Sequence, residues 1–193
     1  MDLSDNIWWT RKARIQTEKR LLSNAMQAQL LLLWYSFCSV SAAVFYLKFN
    51  PDSEYSGIAW VVFSVLVMSI SGFINGLSFK ERASLIKECY ETLNGLYQKA
   101  KTRSEEELDE VSKEYEHVLN MCENHTDRDY YISLCEAHLT TENPDKELDR
   151  HPTNYVWFLF WVYNLRRFVV FSALYALPVF LFFMVEVAGV CQK

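Results

Sequence analysis

The chain has 193 residues, of which 51% are hydrophobic, and its formal net charge is −5. This length allows one or two domains. Residues 80–167 carry 12 basic and 18 acidic side chains, and this excess of negative charge disfavours binding to a phosphate backbone. We therefore expect no direct nucleic-acid binding.

Apolar residues concentrate in three runs that contain no Asp, Glu, Lys or Arg: residues 28–47, 57–79 and 168–185. A transmembrane helix needs roughly 20 apolar residues to cross about 30 Å of hydrocarbon. The sequence therefore predicts an all-α membrane protein in which the first two runs (28–79) form a transmembrane helical hairpin. The third run is expected to cross the membrane as well. The alternative is that it lies flat or caps the bundle.

Residues 1–27 form a polar, charged leader, which we interpret as a cytoplasmic or interfacial helix. Trp8 and Trp9 lie beside Arg11, Lys12 and Arg14, a pairing that is typical of anchoring at lipid headgroups. Packing of both tryptophans on cytoplasmic helices is an equally good interpretation. No small-residue cleavage site follows the first apolar run, so the leader is expected to remain in the mature protein.

Basic residues predict the orientation in the membrane. Lys48 is the only basic residue of the turn at 48–56. The leader contains five basic residues, and both other membrane-flanking segments are basic. Because cytoplasmic flanks are enriched in Lys and Arg, the N-terminus is expected in the cytoplasm and the turn outside. The interface anchors outside the leader are Lys80, Arg82, Arg166 and Arg167.

One face of the second apolar run is polar, with members spaced by four and three residues: Ser64, Met68, Ser71, Asn75 and Ser78. In lipid such side chains face protein or water, so two interpretations stay open. The stripe lines a pore, which would require several copies of the chain, or it forms hydrogen bonds between helices. Gly72 and Gly76 form a G-x-x-x-G pattern on a neighbouring face, which favours close helix packing.

Residues 80–153 are predicted to form a cytoplasmic helical region. Apolar residues follow a heptad pattern in two segments, Ile86–Ala100 and Leu108–Cys122, which indicates an antiparallel helical hairpin. Ser104 and Glu107 have the spacing of a capping box that starts the second helix. No Pro interrupts residues 71–100, so the second membrane helix is expected to continue into the first cytoplasmic helix.

The last segment, 154–193, is predicted to begin with an aromatic, interfacial stretch over 154–165. The third membrane helix then follows, with Pro178 as an expected kink.

Two C-x-x-H pairs raise the question of a metal site. Two thiolates and two imidazoles can hold zinc tetrahedrally, and the residues are Cys122, His125, Cys135 and His138. They also fall at ordinary helix-face positions, so we expect no metal or other cofactor. Cysteines on the cytoplasmic side normally stay reduced, so no disulfide is expected either.

No motif for catalysis or for phosphate binding is present. We therefore expect no enzymatic activity.

Several separated motifs resemble those of SLATT proteins, the SMODS- and SLOG-associating two-transmembrane effectors. They are "WWTRKARIQTEKRL" followed by "LLWYSF", then "FKERASLIKECYETL" and "ENHTDRDYY". The resemblance covers roughly residues 5–140 and is closest to the reverse-transcriptase-linked branch. The third apolar run departs from the minimal two-span pattern. The motif residues of the last two stretches are Lys80, Glu81, Arg82, Cys89, Tyr90, Glu123, Asn124, His125, Asp129 and Tyr130.

The resemblance implies an oligomeric effector in the bacterial inner membrane that forms or opens a pore during antiphage defence by abortive infection. It also implies a partner from the same defence system, such as a reverse transcriptase or a nucleotide-signalling module. The rival interpretation is a membrane-anchored scaffold or sensor whose cytoplasmic helices bind a partner without forming a pore.

Overall fold

The structure is a computed structural model that describes residues 2–49, 54–102 and 105–191. All regular secondary structure in these ranges is helical, which confirms the predicted all-α fold. The helices are α1 (Leu3–Phe49), α2 (Glu54–Gly76), α3 (Phe79–Thr102), α4 (Glu105–Met121), α5 (Asp127–Thr140), α6 (Pro144–Glu147) and α7 (Asn154–Cys191).

The chain divides into two compact units. The first, which we call the helical body, comprises Met1–Asn24 and Phe79–Leu165. The second, the membrane unit, comprises Ala25–Ser78 and Arg166–Lys193. Helices α1 and α7 each contribute residues to both units, so neither the leader nor the segment 154–165 is a separate helix. The segment 154–165 belongs to the helical body.

The α3–α4 pair forms the core of the helical body. Cys89, Leu93 and Leu96 of α3 are buried against Val111 and Val118 of α4, as the heptad pattern predicts. Ile7 of α1 joins the same cluster. The proposed cap residue Ser104 lies outside the described residues.

A second cluster joins α1 to α5 and to the start of α7. Its buried members are Trp9, Leu134, Cys135, Ala137 and Val156. Helix α5 begins with a capping box in which Thr126 and Asp129 exchange hydrogen bonds between side chain and backbone.

The membrane unit contains the three apolar runs. By length and composition, the described residues contain three candidate membrane-spanning segments: Leu3–Tyr46, Ile58–Thr102, which includes both α2 and α3, and Asn154–Val187. Tyr35, Ala42 and Tyr46 of α1 pack against Trp60, Phe63 and Val67 of α2, and Phe182 of α7 contacts this cluster. The third run is therefore packed on the hairpin.

Pro178 lies inside α7 and cannot donate a backbone hydrogen bond to the carbonyl of Leu174. The hydroxyl of Tyr35 donates to that carbonyl instead, at 2.8 Å. Trp34 Nε1 donates to the next carbonyl, that of Tyr175, at 3.0 Å. An unpaired carbonyl in hydrocarbon is unfavourable, so α1 supplies the bond that the proline removes.

The expected uninterrupted helix over residues 71–100 is divided in the structure. Helix α2 ends at Gly76, and the amides of Leu77 and Ser78 bond to carbonyls three residues earlier. Ser78 adopts a φ of 45°, outside helical geometry, and α3 begins at Phe79. The low helix propensity of glycine favours an end at Gly76, so the two helices are joined by a short turn.

We predict that Leu93→Ala lowers the free energy of unfolding by about 2–5 kcal/mol, because it leaves a cavity between α3 and α4. Leu93 is 0% exposed. Leu85→Ala is the matched control on the same helix, since Leu85 is 56% exposed and its truncation should change stability by less than about 0.5 kcal/mol. Thermal unfolding in detergent, followed by circular dichroism, measures both. Equal effects would contradict the packing of α3.

Candidate functional site

The motifs that carry the family resemblance meet in the helical body. The motif near the N-terminus lies on α1, the motif after the second apolar run lies on α3, and "ENHTDRDYY" joins α4 to α5. Side chains from all three contact one another around two buried charged residues, Asp129 and Arg14. We call these residues and their partners the motif cluster.

Asp129 is buried and accepts hydrogen bonds from α1 and from Thr126, the N-cap residue of its own helix α5. Arg20 of α1 donates from Nε to Oδ1 at 2.8 Å and from Nη2 to Oδ2 at 3.0 Å. Thr17 Oγ1 donates to Oδ2 at 3.1 Å, and both the backbone and the hydroxyl of Thr126 donate to the same oxygen. The carboxylate thus fastens α1 to the first turn of α5.

Burial raises the pKa of Asp129, but the hydrogen bonds from Arg20 and Thr126 outweigh this effect, so its net pKa is lowered. A carboxyl whose pKa is lower in the folded than in the unfolded state stabilises the fold above its ordinary value near 3.8. That stabilisation is lost as the pH falls through the folded-state pKa.

Arg14 is 0% exposed and has no carboxylate partner among the described residues. Its Nη1 donates to the Sγ atoms of Cys89 and Cys122, each at 2.7 Å. Its guanidinium also donates to the carbonyls of Val118 and Leu119, which lie in the last turn of α4. Arg14 therefore caps the negative end of α4.

Cys89 and Cys122 form a disulfide between α3 and the residue that follows α4, with Cα atoms 6.8 Å apart. This disulfide corrects the expectation of reduced cysteines. That expectation rested only on the predicted cytoplasmic location of these residues. The heptad pattern placed both cysteines on the facing sides of the helical hairpin. It therefore implied that the two side chains lie close together, but not that they form a disulfide.

The disulfide involves Cys122, which is one of the four suggested zinc ligands. Cys135 is buried, and burial raises its pKa to about 11, while His138 packs edge-on to Trp157. Among the described residues no group of three His, Cys, Asp or Glu side chains is placed to hold a metal ion. His125 is half-buried, and burial followed by the charge of Arg14 lowers its pKa.

The remaining motif residues lie around this cluster. Arg82 forms a two-pronged ion pair with Glu123, so this proposed anchor ties α3 to the α4–α5 junction. Asn124 accepts from the His125 amide, and Tyr90 packs against the core near Leu21. Lys80 and Glu81 are exposed.

Trp9 is a core residue of the helical body. It is 1% exposed, and its Nε1 donates to Asp149 at 2.6 Å. Arg150 lies over its ring and donates to Asn6 and Tyr130. Trp9 therefore packs inside the helical body.

The other proposed anchors are less buried. Trp8 is half-buried and carries Lys12 over its ring, and Arg11 is half-buried. Arg167 lies over Phe171 on its own helix, and Arg166 is exposed.

The polar stripe of α2 is only partly used within the chain. Ser64 shares a 2.7 Å hydrogen bond with Ser39 of α1, as the interhelical interpretation predicts. Met68 is 79% exposed, Asn75 is exposed, and no partner for the Asn75 amide is found within the described residues. Ser71 and Ser78 are half-buried.

The glycine face of α2 is also uncovered. A Cβ atom added at Gly72 or Gly76 would meet nothing within 4 Å. Neither glycine therefore packs closely against another helix among residues 2–49, 54–102 and 105–191. Their proposed packing role remains a prediction for contacts with other molecules.

Sequence reasoning missed Arg14, Thr17 and Arg20 as parts of the site. A signal was present, because Ile7, Arg14 and Leu21 are spaced by seven residues and all are buried. An arginine at a core position of such a pattern indicates a buried polar contact. The distant partners of Arg14 and Arg20 could not be identified without the fold.

We predict that Asp129→Asn lowers the free energy of unfolding by about 3–5 kcal/mol near neutral pH, because it breaks a buried charge pair. Glu123→Gln is the control, since the Arg82–Glu123 pair is partly exposed and should contribute less than about 1 kcal/mol. Urea unfolding in detergent measures both, and the difference between wild type and Asp129→Asn should shrink below pH 3.8. A difference that persists unchanged in acid would contradict a charge-based role.

A family model described as "SMODS and SLOG-associating 2TM effector domain family 5" matches residues 1–185. The match extends well beyond the motifs and includes nearly all of α7, so the third apolar helix is part of the family pattern. No curated protein and no solved structure matches the chain. The chain belongs to the SMODS and SLOG-associating 2TM effector domain family 5, a family of membrane effectors of defence systems.

Proposed function

We propose that this chain is an oligomeric effector that forms or opens a pore in the bacterial inner membrane during antiphage defence. The helical body would lie in the cytoplasm and receive the activating signal. The membrane unit would disrupt the bilayer and so abort infection. Family membership supports the role of membrane effector. That the effector acts by forming or opening a pore is our proposal.

The uncovered face of α2 is the observation that carries the pore proposal. Met68 and Asn75 are exposed, and a Cβ atom at Gly72 or Gly76 would meet no neighbour within 4 Å in the described part of the chain. An exposed amide is unfavourable in hydrocarbon, and small residues allow two helices to approach closely. Both features are explained if α2 of one copy faces α2 of another, or faces water inside an assembly.

A single chain cannot enclose a water path with three helices, so the pore requires several copies. Activation would follow from a shift between closed and open assemblies when a partner binds the helical body more tightly in the open state. We propose that the partner comes from the same defence system, either a nucleotide-signalling module or a reverse transcriptase. The chain itself is proposed to act without catalysis or a cofactor.

The topology can be tested by cysteine labelling. In a variant whose five native cysteines are replaced by Ser, Asp52→Cys should react with a membrane-impermeant maleimide in intact spheroplasts, because the 48–56 turn lies outside. Leu85→Cys is the control and should react only after the membrane is permeabilised, since it lies on an exposed position of the helical body. The reverse labelling pattern would contradict a cytoplasmic body.

The pore can be tested with a membrane-potential dye during induced expression and phage infection. Wild type should depolarise the cells, and Asn75→Leu should abolish depolarisation without lowering the amount of protein in the membrane. Ser69→Leu is the matched control, because Ser69 is exposed on another face of α2 and bonds only to its own helix.

One outcome would contradict the proposed role of Asn75, and another would contradict the pore itself. A loss of membrane protein or of assembly in Asn75→Leu would assign the residue to helix packing. A wild-type protein that assembles but never depolarises infected cells would favour the membrane-anchored scaffold or sensor.

A further inference from the structure

We infer that Arg14, Cys89 and Cys122 form a thiol–disulfide exchange centre that is reduced by small thiols or dithiol proteins. The inference does not depend on whether the assembly conducts ions. It starts from an arginine that is fully buried in the helical body and has no carboxylate partner among the described residues.

The surroundings of Arg14 are better suited to an anion than to a disulfide. Burying a guanidinium without an anionic partner is unfavourable, even where it donates to the carbonyls of Val118 and Leu119. A disulfide sulfur is only a weak acceptor. The two Sγ atoms lie 2.7 Å from the same Nη1 atom. A thiolate on either sulfur would neutralise the buried charge, and nearby arginine favours the thiolate over the thiol.

The two cysteines differ in accessibility, and this assigns their roles. Cys122 is half-buried and follows the last residue of α4, whereas Cys89 is buried within α3. An incoming thiol therefore reaches Cys122 first. Cys89 is the leaving group, and its sulfur departs beside the guanidinium.

Reduction of the Cys89–Cys122 disulfide takes two thiol–disulfide exchange steps. A reductant thiolate attacks Cys122 Sγ and forms a mixed disulfide, while the Cys89–Cys122 bond breaks and its electron pair stays on Cys89 Sγ. A second reductant thiolate attacks the reductant sulfur of the mixed disulfide and releases Cys122, which takes up a proton. Two reductant thiols are oxidised to one disulfide, the protein gains two electrons, and the second proton goes to solvent.

Reduction changes which helices are tied together. The oxidised form has a covalent bond from α3 to the end of α4. The reduced form replaces it with an ion pair from Cys89 on α3 to Arg14 on α1, at the distance that the structure already shows. The centre therefore exchanges an α3–α4 link for an α1–α3 link without requiring a new fold.

The test uses the full-length protein in detergent, equilibrated in glutathione buffers of increasing reducing ratio, then quenched in acid. Differential alkylation and mass spectrometry report each cysteine separately after denaturation. Cys89 and Cys122 should become reduced together, whereas Cys38 and Cys135 are free cysteines and should not change. A Cys89–Cys122 pair that stays oxidised in excess reduced glutathione, or that never forms a disulfide in oxidised glutathione, would overturn the inference.

The role of Arg14 is tested by comparing a substitution that removes its charge with one that keeps it. Arg14→Met should need a reducing ratio about tenfold higher for half-reduction, because the thiolate loses its counter-charge. Arg14→Lys keeps the charge and should shift the midpoint by less than about threefold. Arg11→Met removes a charge from α1 without touching either sulfur and should leave the midpoint unchanged.

A wild-type midpoint in Arg14→Met, with helicity retained, would overturn the role assigned to Arg14, as would equal shifts in the Met and Lys variants. If Arg14→Met does not fold, the Lys variant and the wild-type titration still decide the inference.

Discussion

The helical body depends on charged side chains of α1 that are buried against the motifs of α3 to α5. Arg20 reaches Asp129, and Arg14 reaches the end of α4. Removing one partner of a buried charge pair costs about 3–5 kcal/mol, a large share of the roughly 5–15 kcal/mol that stabilises a domain. These contacts also have strict geometry, so they specify how α1 lies on the body better than apolar packing alone would.

The membrane unit is stabilised differently, because lipid is as apolar as the helices themselves. Its helices are joined by a few hydrogen bonds, such as Ser39 with Ser64 and Tyr46 with Glu186. Tyr35 matters most in this set, since it pairs with the carbonyl that Pro178 leaves without a donor. The proline that was expected only to kink α7 also creates an acceptor that specifies where α1 packs.

Much of the fold could be predicted from periodicity. Uncharged runs of about 20 residues indicate membrane helices, and heptads indicate which side of α3 meets α4, so Leu93 and Val118 were correctly placed. The turn at Ser78 could not be predicted, because α2 ends without any proline, at one glycine followed by two hydrogen bonds to carbonyls three residues earlier. The partners of Arg14 on α3 and α4, and the partners of Asp129 on α1, lie more than 70 residues away in the chain. Only the tertiary fold brings them together.

The difference between these two kinds of stabilisation favours a change in the membrane unit, and not in the helical body, when the assembly opens. Hydrogen bonds between membrane helices are worth about 0.6–2 kcal/mol each, so the few that join α1, α2 and α7 can be exchanged for contacts between copies. In the body, leaving Asp129 or Arg14 buried without its partners would cost about 3–5 kcal/mol. A signal that changes the membrane unit should therefore leave the body folded. Helix α2 is the helix best able to form new contacts between copies, because a Cβ atom at Gly72 or Gly76 would meet nothing within 4 Å among the described residues.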